Sequence, residues 1–265
     1  MYPFLDQQPG RYVMTLTAFV TGAAGGIGRA VARRLAADGF RIIASDIDAA
    51  LARDVAGSLP GSGHAGLALD VADEAAVADT LARVESEHGP INVLVAAAGL
   101  LILDENGQRR PIIETGMKEW DRTQQVNSTG TFLLVREYLR HRTQTPIDHA
   151  RFIAFSSVAA QLGGYRSSAA YIASKSAISG LVKAAAREAA AIGVTVNAVA
   201  PGLIDAPMLR LSLDPANDVE IAKSIPLNRI GTPEDVAGAV AYLAGADGAY
   251  VTGATIDVNG GYRMQ

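Results

Sequence analysis

The sequence predicts one doubly wound α/β domain, about seven parallel strands flanked by helices. Three observations carry this reading. Short β-rich runs alternate with longer amphipathic stretches, the order expected of βαβ units. A glycine-rich turn joins the first strand to the first helix. No internal repeat, low-complexity tract or linker divides the 265 residues, a length one large α/β domain fills.

Leu16 to Val20 is a buried-strand run, and Ile27, Val31 and Leu35 mark one face of the following helix until Gly39 stops it. Arg41 to Ser45, His64 to Leu69 and Val93 to Ala97 supply strands two to four, each flanked by Gly, Asp or Pro. Before the fourth strand, Val77, Leu81 and Val84 form one helical stripe, with Asp73 as N-cap and Gly89 as terminator. A polar insert, Asp104 to Thr115, precedes one long helix from about Met117 to His141. A strand at Arg151 to Phe155 and an Ala-rich helix from about Ala169 to Ala191 follow. The sixth strand, Val194 to Val199, leads through Pro201-Gly202 into a variable stretch ending near Pro226. A helix from Pro233 and a strand near Thr255 to Val258 complete the domain over residues 15–265. The first fourteen residues read as a flexible extension, with Met14 an alternative start.

Composition narrows the function. Lys and Arg number 23 against 27 Asp and Glu, a formal charge of −4, so nothing favours a nucleic acid partner. Apolar residues make up 49% and charged residues 19%, too hydrophobic for disorder. Zero cysteines exclude disulfides, thiolate nucleophiles and cysteine-ligated metals. His64, His88, His141 and His149 fall at predicted element ends without metal-ligand spacing; all four read as surface residues, and no metal site is expected. The longest near-unbroken apolar stretch, Val93 to Leu103, falls far short of the ~20 residues that cross a bilayer. The opening MYPFLDQQPGRYVM lacks the pattern of a secretory signal, which gives a cytoplasmic expectation.

The first turn reads Thr21-Gly22-Ala23-Ala24-Gly25-Gly26-Ile27-Gly28. Between a strand and a helix, its exposed N–H groups and the helix dipole favour a pyrophosphate, and glycine lets a dinucleotide approach the backbone. The spacing of Gly22, Gly26 and Gly28 is G-x-x-x-G-x-G rather than G-x-G-x-x-G. Asp46, at the end of the second strand, falls at the ~20-residue interval where an acidic side chain reaches the adenosine ribose. It would repel a 2′-phosphate by about 4 kcal/mol at 4 Å and an effective dielectric of 20, which favours NAD over NADP. The alternative makes Asp46 or Asp48 the N-cap of the next helix.

Tyr171 and Lys175, at i and i+4, share one helical face. A phenol of pKa ~10 needs roughly 4 kcal/mol to be poised near neutrality, and a nearby cation can supply it. Fourteen residues upstream of Tyr171, Ser156-Ser157 ends a strand, where a hydroxyl can orient a substrate oxygen or simply terminate the element. Asn127, inside the long helix, can hold water or backbone near Lys175, or make an ordinary interhelical bond.

Taken together, these pieces resemble the short-chain dehydrogenase/reductase family from Leu16 to Gly261. They fall in the family's order: TGAAGGIG at Thr21 to Gly28, Asp70-Val71, AAAG at Ala96 to Gly99, Asn127, Ser157, YIASK at Tyr171 to Lys175 and NAVAPGLIDAPM from Asn197. RIGTPEDVA from Arg229 and VTG at Val251 to Gly253 extend the match. The resemblance implies a Rossmann-type fold binding NAD through Gly22, Gly26, Ile27, Gly28, Asp46, Asp70, Val71, Ala98, Gly99, Tyr171, Lys175, Pro201, Gly202 and Ile204. It implies that Tyr171 is the general acid/base, that Lys175 holds the nicotinamide ribose and lowers the tyrosine pKa, that Ser157 polarises the carbonyl and that Asn127 anchors a relay water. Two segments depart from the family. Ala96 and Ala97 replace the asparagines of N-N-A-G, and Ala206 replaces the threonine of D-T-P-M, each removing a hydrogen bond worth about 1 kcal/mol. Backbone groups of Leu203 and Ile204 are then left to hold the carboxamide.

The expected function is NAD-dependent interconversion of a secondary alcohol and a ketone, on a small or medium hydrophobic or cyclic substrate. Met208, Leu209, Leu211 and Leu213 would form an apolar lid with a charged outer face. One alternative is 3-oxoacyl-carrier-protein reduction, for which the family usually uses NADPH and which Arg109, Arg110 and Lys118 would serve. Another is a non-catalytic nucleotide-binding protein on the same fold. Small and apolar residues such as Ala177, Leu181, Ala184 and Ala185 imply, with the family resemblance, a homotetramer joined through the long helices.

Overall fold

The strands are rich in Val, Ile, Ala and Phe because the sheet is covered on both faces. The structure, a computed structural model, describes residues 15–264; the expected extension over residues 1–14 lies outside them. Seven strands, β1 (Thr17–Thr21), β2 (Arg41–Asp46), β3 (Ala65–Ala68), β4 (Ile91–Ala96), β5 (Ala150–Phe155), β6 (Val194–Pro201) and β7 (Thr255–Val258), form one sheet in the order β3-β2-β1-β4-β5-β6-β7. All neighbouring pairs are parallel. The helices are α1 (Gly26–Ala37), α2 (Ala49–Ser58), α3 (Glu74–His88), α4 (Met117–Gln124), α5 (Gly130–Gln144), α6 (Val158–Leu162), α7 (Ala169–Ala189), α8 (Pro207–Arg210), α9 (Asp218–Ala222) and α10 (Pro233–Ala244).

Alternation along the strands divides the core. Val20, Ile42 and Val93 face Val31 and Leu35 of α1, Val55 of α2 and Val236 of α10. Phe19, Ile43 and Leu94 face Val77 and Leu81 of α3, Leu134 of α5 and Ile178 of α7. The direction of winding reverses between β1 and β4, and the crevice beyond the strand ends at such a switch is where open α/β sheets bind ligands.

Three features differ from the sequence reading. The helix expected from Met117 to His141 is interrupted at Gln125–Thr129 by one π turn, and α5 then runs on to Gln144. The short helix α6 follows directly on Ser157. The four histidines are half-buried rather than freely exposed. His64 Nδ1 accepts from the Ile42 N–H at 3.0 Å, His141 meets Glu85 at 3.0 Å, and His149 bonds the Ala244 carbonyl at 2.8 Å. Among the described residues no His, Asp and Glu side chains group as a metal site, and no helix is long and apolar enough to cross a membrane.

Candidate active site

The glycine-rich turn after β1 is shaped by close approach. Gly22 has φ +63°, and a β-carbon there would lie 2.7 Å from the Ala98 backbone; one on Gly28 would lie 2.1 Å from the Gly22 carbonyl oxygen. The turn and the loop after β4 therefore abut, tied by the Ala98 N–H donating to Thr21 Oγ1 at 3.2 Å. The Gly99 loop continues from that contact. Asp46 stands beside the same turn, its carboxylate accepting the Ala24 N–H at 3.1 Å. Asp48, not Asp46, caps α2, accepting the N–H groups of Ala50 and Leu51. Asp70 follows β3, turns the chain by accepting the Ala72 N–H and pairs with Arg122 at 3.7 Å. Val71 is buried against Gly130, where a β-carbon would come within 2.8 Å of its side chain.

Helix α7 presents Tyr171 and Lys175 side by side, both buried. Lys175 Nζ lies 5.9 Å from the Tyr171 ring centroid and donates to the Phe155 carbonyl at the end of β5, 2.8 Å away. Burial without a carboxylate partner pushes the Lys175 ammonium down to about 8. Burial also pushes the Tyr171 phenol up, while the Ser157 side chain facing it acts in the opposite sense. The expected lowering of the tyrosine by Lys175 is not what governs the phenol here: burial is the larger influence, and the opposing one comes from Ser157. Ser157 caps α6, its Oγ accepting the Ala159 N–H at 3.1 Å. Its neighbour Ser156 points away and fastens α7 by donating to the Lys175 carbonyl at 3.0 Å.

Asn127 sits in the π turn with no solvent exposure. Its Oδ1 accepts the Leu100 N–H at 2.8 Å, and its Nδ2 donates to the Leu100 carbonyl and to Ser174 Oγ, both at 3.0 Å. Thr131 Oγ1 donates to the Asn127 carbonyl at 2.7 Å. Asn127 therefore locks the loop after β4 to α7 one residue from Lys175. Sequence reading placed Asn127 near Lys175 but missed Ser174 and the Phe155 carbonyl. Ser174 lies within the YIASK run; a strand-end carbonyl has no side-chain signature.

Tyr171, Lys175, Ser157 and Gly99 line one cavity of about 210 Å³ with Ile27, Pro201, Gly202, Ile204 and Ala206, whereas Asp46, Asp70, Val71 and Asn127 stand outside its lining. Leu203 and Asp205 bond Gly231, so the Ile204 N–H and C=O lie on the opposite edge of that bridge. The Leu203 carbonyl, expected as a second grip, is already engaged by the Gly231 N–H. At the threonine-to-alanine departure, a β-carbon on Gly26 would lie 2.9 Å from the Ala206 methyl, so the start of α8 closes on the glycine-rich turn. No residue of the insert lines the cavity; it packs behind the wall, where a β-carbon on Gly107 would lie 2.4 Å from the Leu211 carbonyl oxygen and Arg109 donates to the Gly164 carbonyl at 3.4 Å. Leu213 is buried, but Leu211, expected in the apolar lid, is 53% exposed.

A family model described as enoyl-(acyl carrier protein) reductase matches residues 22–263. The chain is 35% identical over 247 residues to the 3-oxoacyl-[acyl-carrier-protein] reductase FabG of Escherichia coli, covering 93% of this chain and 97% of that one. It is 38% identical to cis-4-hydroxycyclohexanecarboxylate dehydrogenase of Sinomonas cyclohexanicum, covering 92% and 95%. A crystal structure of a short-chain type dehydrogenase/reductase from Mycobacterium marinum superposes with a TM-score of 0.86 at 28% identity, covering 94% and 96%. The chain belongs to the short-chain dehydrogenase/reductase family. It is an oxidoreductase of the class that acts on CH–OH groups with a nicotinamide dinucleotide.

The cleft fits such a dinucleotide. Glycine 99 leaves open the space in front of Lys175 Nζ and Asn127 Oδ1, which a β-carbon would approach to 3.4 and 3.3 Å. Among the described residues Lys175 has one protein acceptor for its three protons, and the Ile204 amide and carbonyl stand outside the Gly231 bridge.

Proposed function

We propose that the protein interconverts a secondary alcohol and a ketone, with Tyr171 as general acid/base and NAD preferred over NADP. The single observation behind this reading is the convergence of Tyr171, Lys175 and Ser157 on one cavity at the β1/β4 switch. The glycine-rich turn would receive the pyrophosphate, Asp46 the adenosine ribose, Asp70 and Val71 the adenine, Lys175 the nicotinamide ribose, and Ile204 the carboxamide. Bound there, the dinucleotide supplies or accepts the hydride. Tyr171 gives a proton to the substrate oxygen in reduction and takes it back in oxidation. Ser157 uses its oxygen as a cap acceptor, which leaves its O–H to donate to that same oxygen. With an ammonium pKa of about 8, Lys175 is still mainly cationic at neutral pH, while the influence that counters the upward shift of the phenol comes from Ser157. The Asp46 carboxylate supports NAD, since it repels a 2′-phosphate.

The test is reduction of a ketone panel with NADH and with NADPH. Wild type should work faster with NADH. Tyr171→Phe should keep NADH affinity while kcat falls about 10²–10⁴-fold, the usual contribution of a positioned acid/base. Turnover by the variant near the wild-type rate rejects the assignment, and a wild type that binds NADH yet reduces nothing favours the non-catalytic alternative.

A second reading is reduction of 3-oxoacyl groups on acyl carrier protein, which the similarity to the Escherichia coli reductase favours. Arg109, exposed and bonded to the carbonyl of Gly164 in the cavity wall, supports it; Arg110 is drawn to Glu119 at 3.4 Å. We further propose a homotetramer. A groove between α5 and α7, lined by Phe132, Val135, Leu139, Leu181 and Ala184, supports contact there, and a monomeric mass in solution overturns it.

A further inference from the structure

We infer that the substrate carries a carboxylate, which Arg166 binds at the end of the cavity away from the dinucleotide. This rests on the cavity being the substrate site proposed above. Among the residues lining it, Arg166 and Lys175 are the charged ones, and no Asp or Glu lines it. Lys175 is assigned to the nicotinamide ribose, which leaves the guanidinium.

Arg109 also has no ion pair among the described residues but does not line the cavity; three other arginines nearby are engaged. Arg210 is clasped by Asp205 and Asp218 at 2.8 and 2.6 Å, Arg263 pairs with Asp257 at 3.2 Å, and Arg110 with Glu119. Half-buried Arg166 instead donates one N–H to the Ser212 carbonyl at 2.9 Å and has no ion-pair partner among the described residues. That bond joins the loop after α6 to the segment after α8 and holds the guanidinium at the cavity wall. Its remaining N–H groups can meet a carboxylate in the forked geometry that arginine favours.

The surrounding wall is mainly apolar, with Leu101, Val158, Leu162, Met208, Leu209 and Ile221 among a few serine and tyrosine side chains. An apolar body with one anionic end matches this lining. One guanidinium balances one negative charge, whereas a phosphate monoester carries nearly two. A carboxylate is therefore the better match.

The experiment uses enzyme loaded with NADH and calorimetric titration with cyclohexanecarboxylate, cyclohexanecarboxamide and cyclohexyl phosphate, none of which can be reduced. The acid should bind at least about tenfold more tightly than the amide. In Arg166→Met that ratio should collapse toward one, and Arg166→Lys should restore part of it. Equal binding of acid and amide by wild type, tighter binding of the phosphate, or no measurable binding of the acid overturns the proposal. So does an equal loss for acid and amide in Arg166→Met, the result expected if the guanidinium only straps the two loops together. Binding does not require hydride transfer, so an enzyme that passes this test yet reduces no ketone loses only the proposed activity. A kinetic arm comparing 4-oxocyclohexanecarboxylate with its amide should show the same discrimination in KM.

Discussion

Two of the buried cations among the described residues lie at opposite ends of the sheet, and they are treated differently. Near the strand N-termini, Arg142 is fully buried, pairs with Glu85 and lies 5.5 Å from the Tyr138 ring centroid. Glu85 also accepts the Ile91 N–H at 3.1 Å and meets His141, so the charge is answered from several sides. Near the strand C-termini, Lys175 is equally hidden but has a backbone carbonyl where Arg142 has a carboxylate. The first arrangement joins α3, α5 and β4. The second leaves a desolvated cation facing a cleft, where its charge is available to a ligand and to the phenol beside it. Burial marks both sites; between these two it is the carboxylate partner, together with the open cleft, that separates the structural cation from the functional one.

The largest effect expected from breaking this contrast is at the compensated end. Glu85→Ala strands the Arg142 charge and should cost about 3–5 kcal/mol, lowering the melting temperature on the order of 10 °C. Turnover per folded molecule should hold, since Glu85 is remote from the cleft; a variant as stable as wild type would deny the difference between the ends.

At the other end, the wild-type lysine binds its proton less tightly when folded, with a pKa of about 8, than in the unfolded chain. Between pH 8 and the ordinary value near 10.4 the unfolded chain holds more protons, so this group's contribution to stability rises with pH through that window and is lost below it. Relative to Lys175→Met, wild type without dinucleotide should therefore gain about 3 kcal/mol across it in urea unfolding. Parallel pH profiles for the two proteins would remove Lys175 as an uncompensated charge.

The smallest effect belongs to Ser157→Ala. Loss of the α6 cap should cost about 1 kcal/mol. With the one lowering influence on Tyr171 removed, the phenol should move further up, and the alkaline limb of the pH–rate profile should shift the same way. An unmoved limb separates Ser157 from the proton transfer.

The legible parts of the chain were those written in side-chain type and local spacing. Val77, Leu81 and Val84 point to one face of α3, Asp73 caps it, and β7 lies at Thr255–Val258 as its composition suggests. Tyr171 and Lys175 were readable because four residues of helix fix their neighbourhood. The π turn at Asn127 was not, since it depends on Leu100, a partner 27 residues away that offers only backbone. The direction of the Tyr171 shift was missed for a related reason: the i+4 spacing reveals the cation, whereas desolvation depends on walls contributed by distant segments. The histidines were misjudged because element ends suggest exposure, while carbonyls such as that of Ala244 reach them through the fold.

The π turn also limits how this scaffold can be redesigned. Straightening Gln125–Thr129 into a regular helix by removing one residue would swing α4 about 100° around its axis relative to α5. Asn127 would leave Leu100, and the ribbon carrying Ala98 and Gly99 would lose its anchor. An idealised backbone, the usual route to a sturdier protein, would here dismantle the cleft.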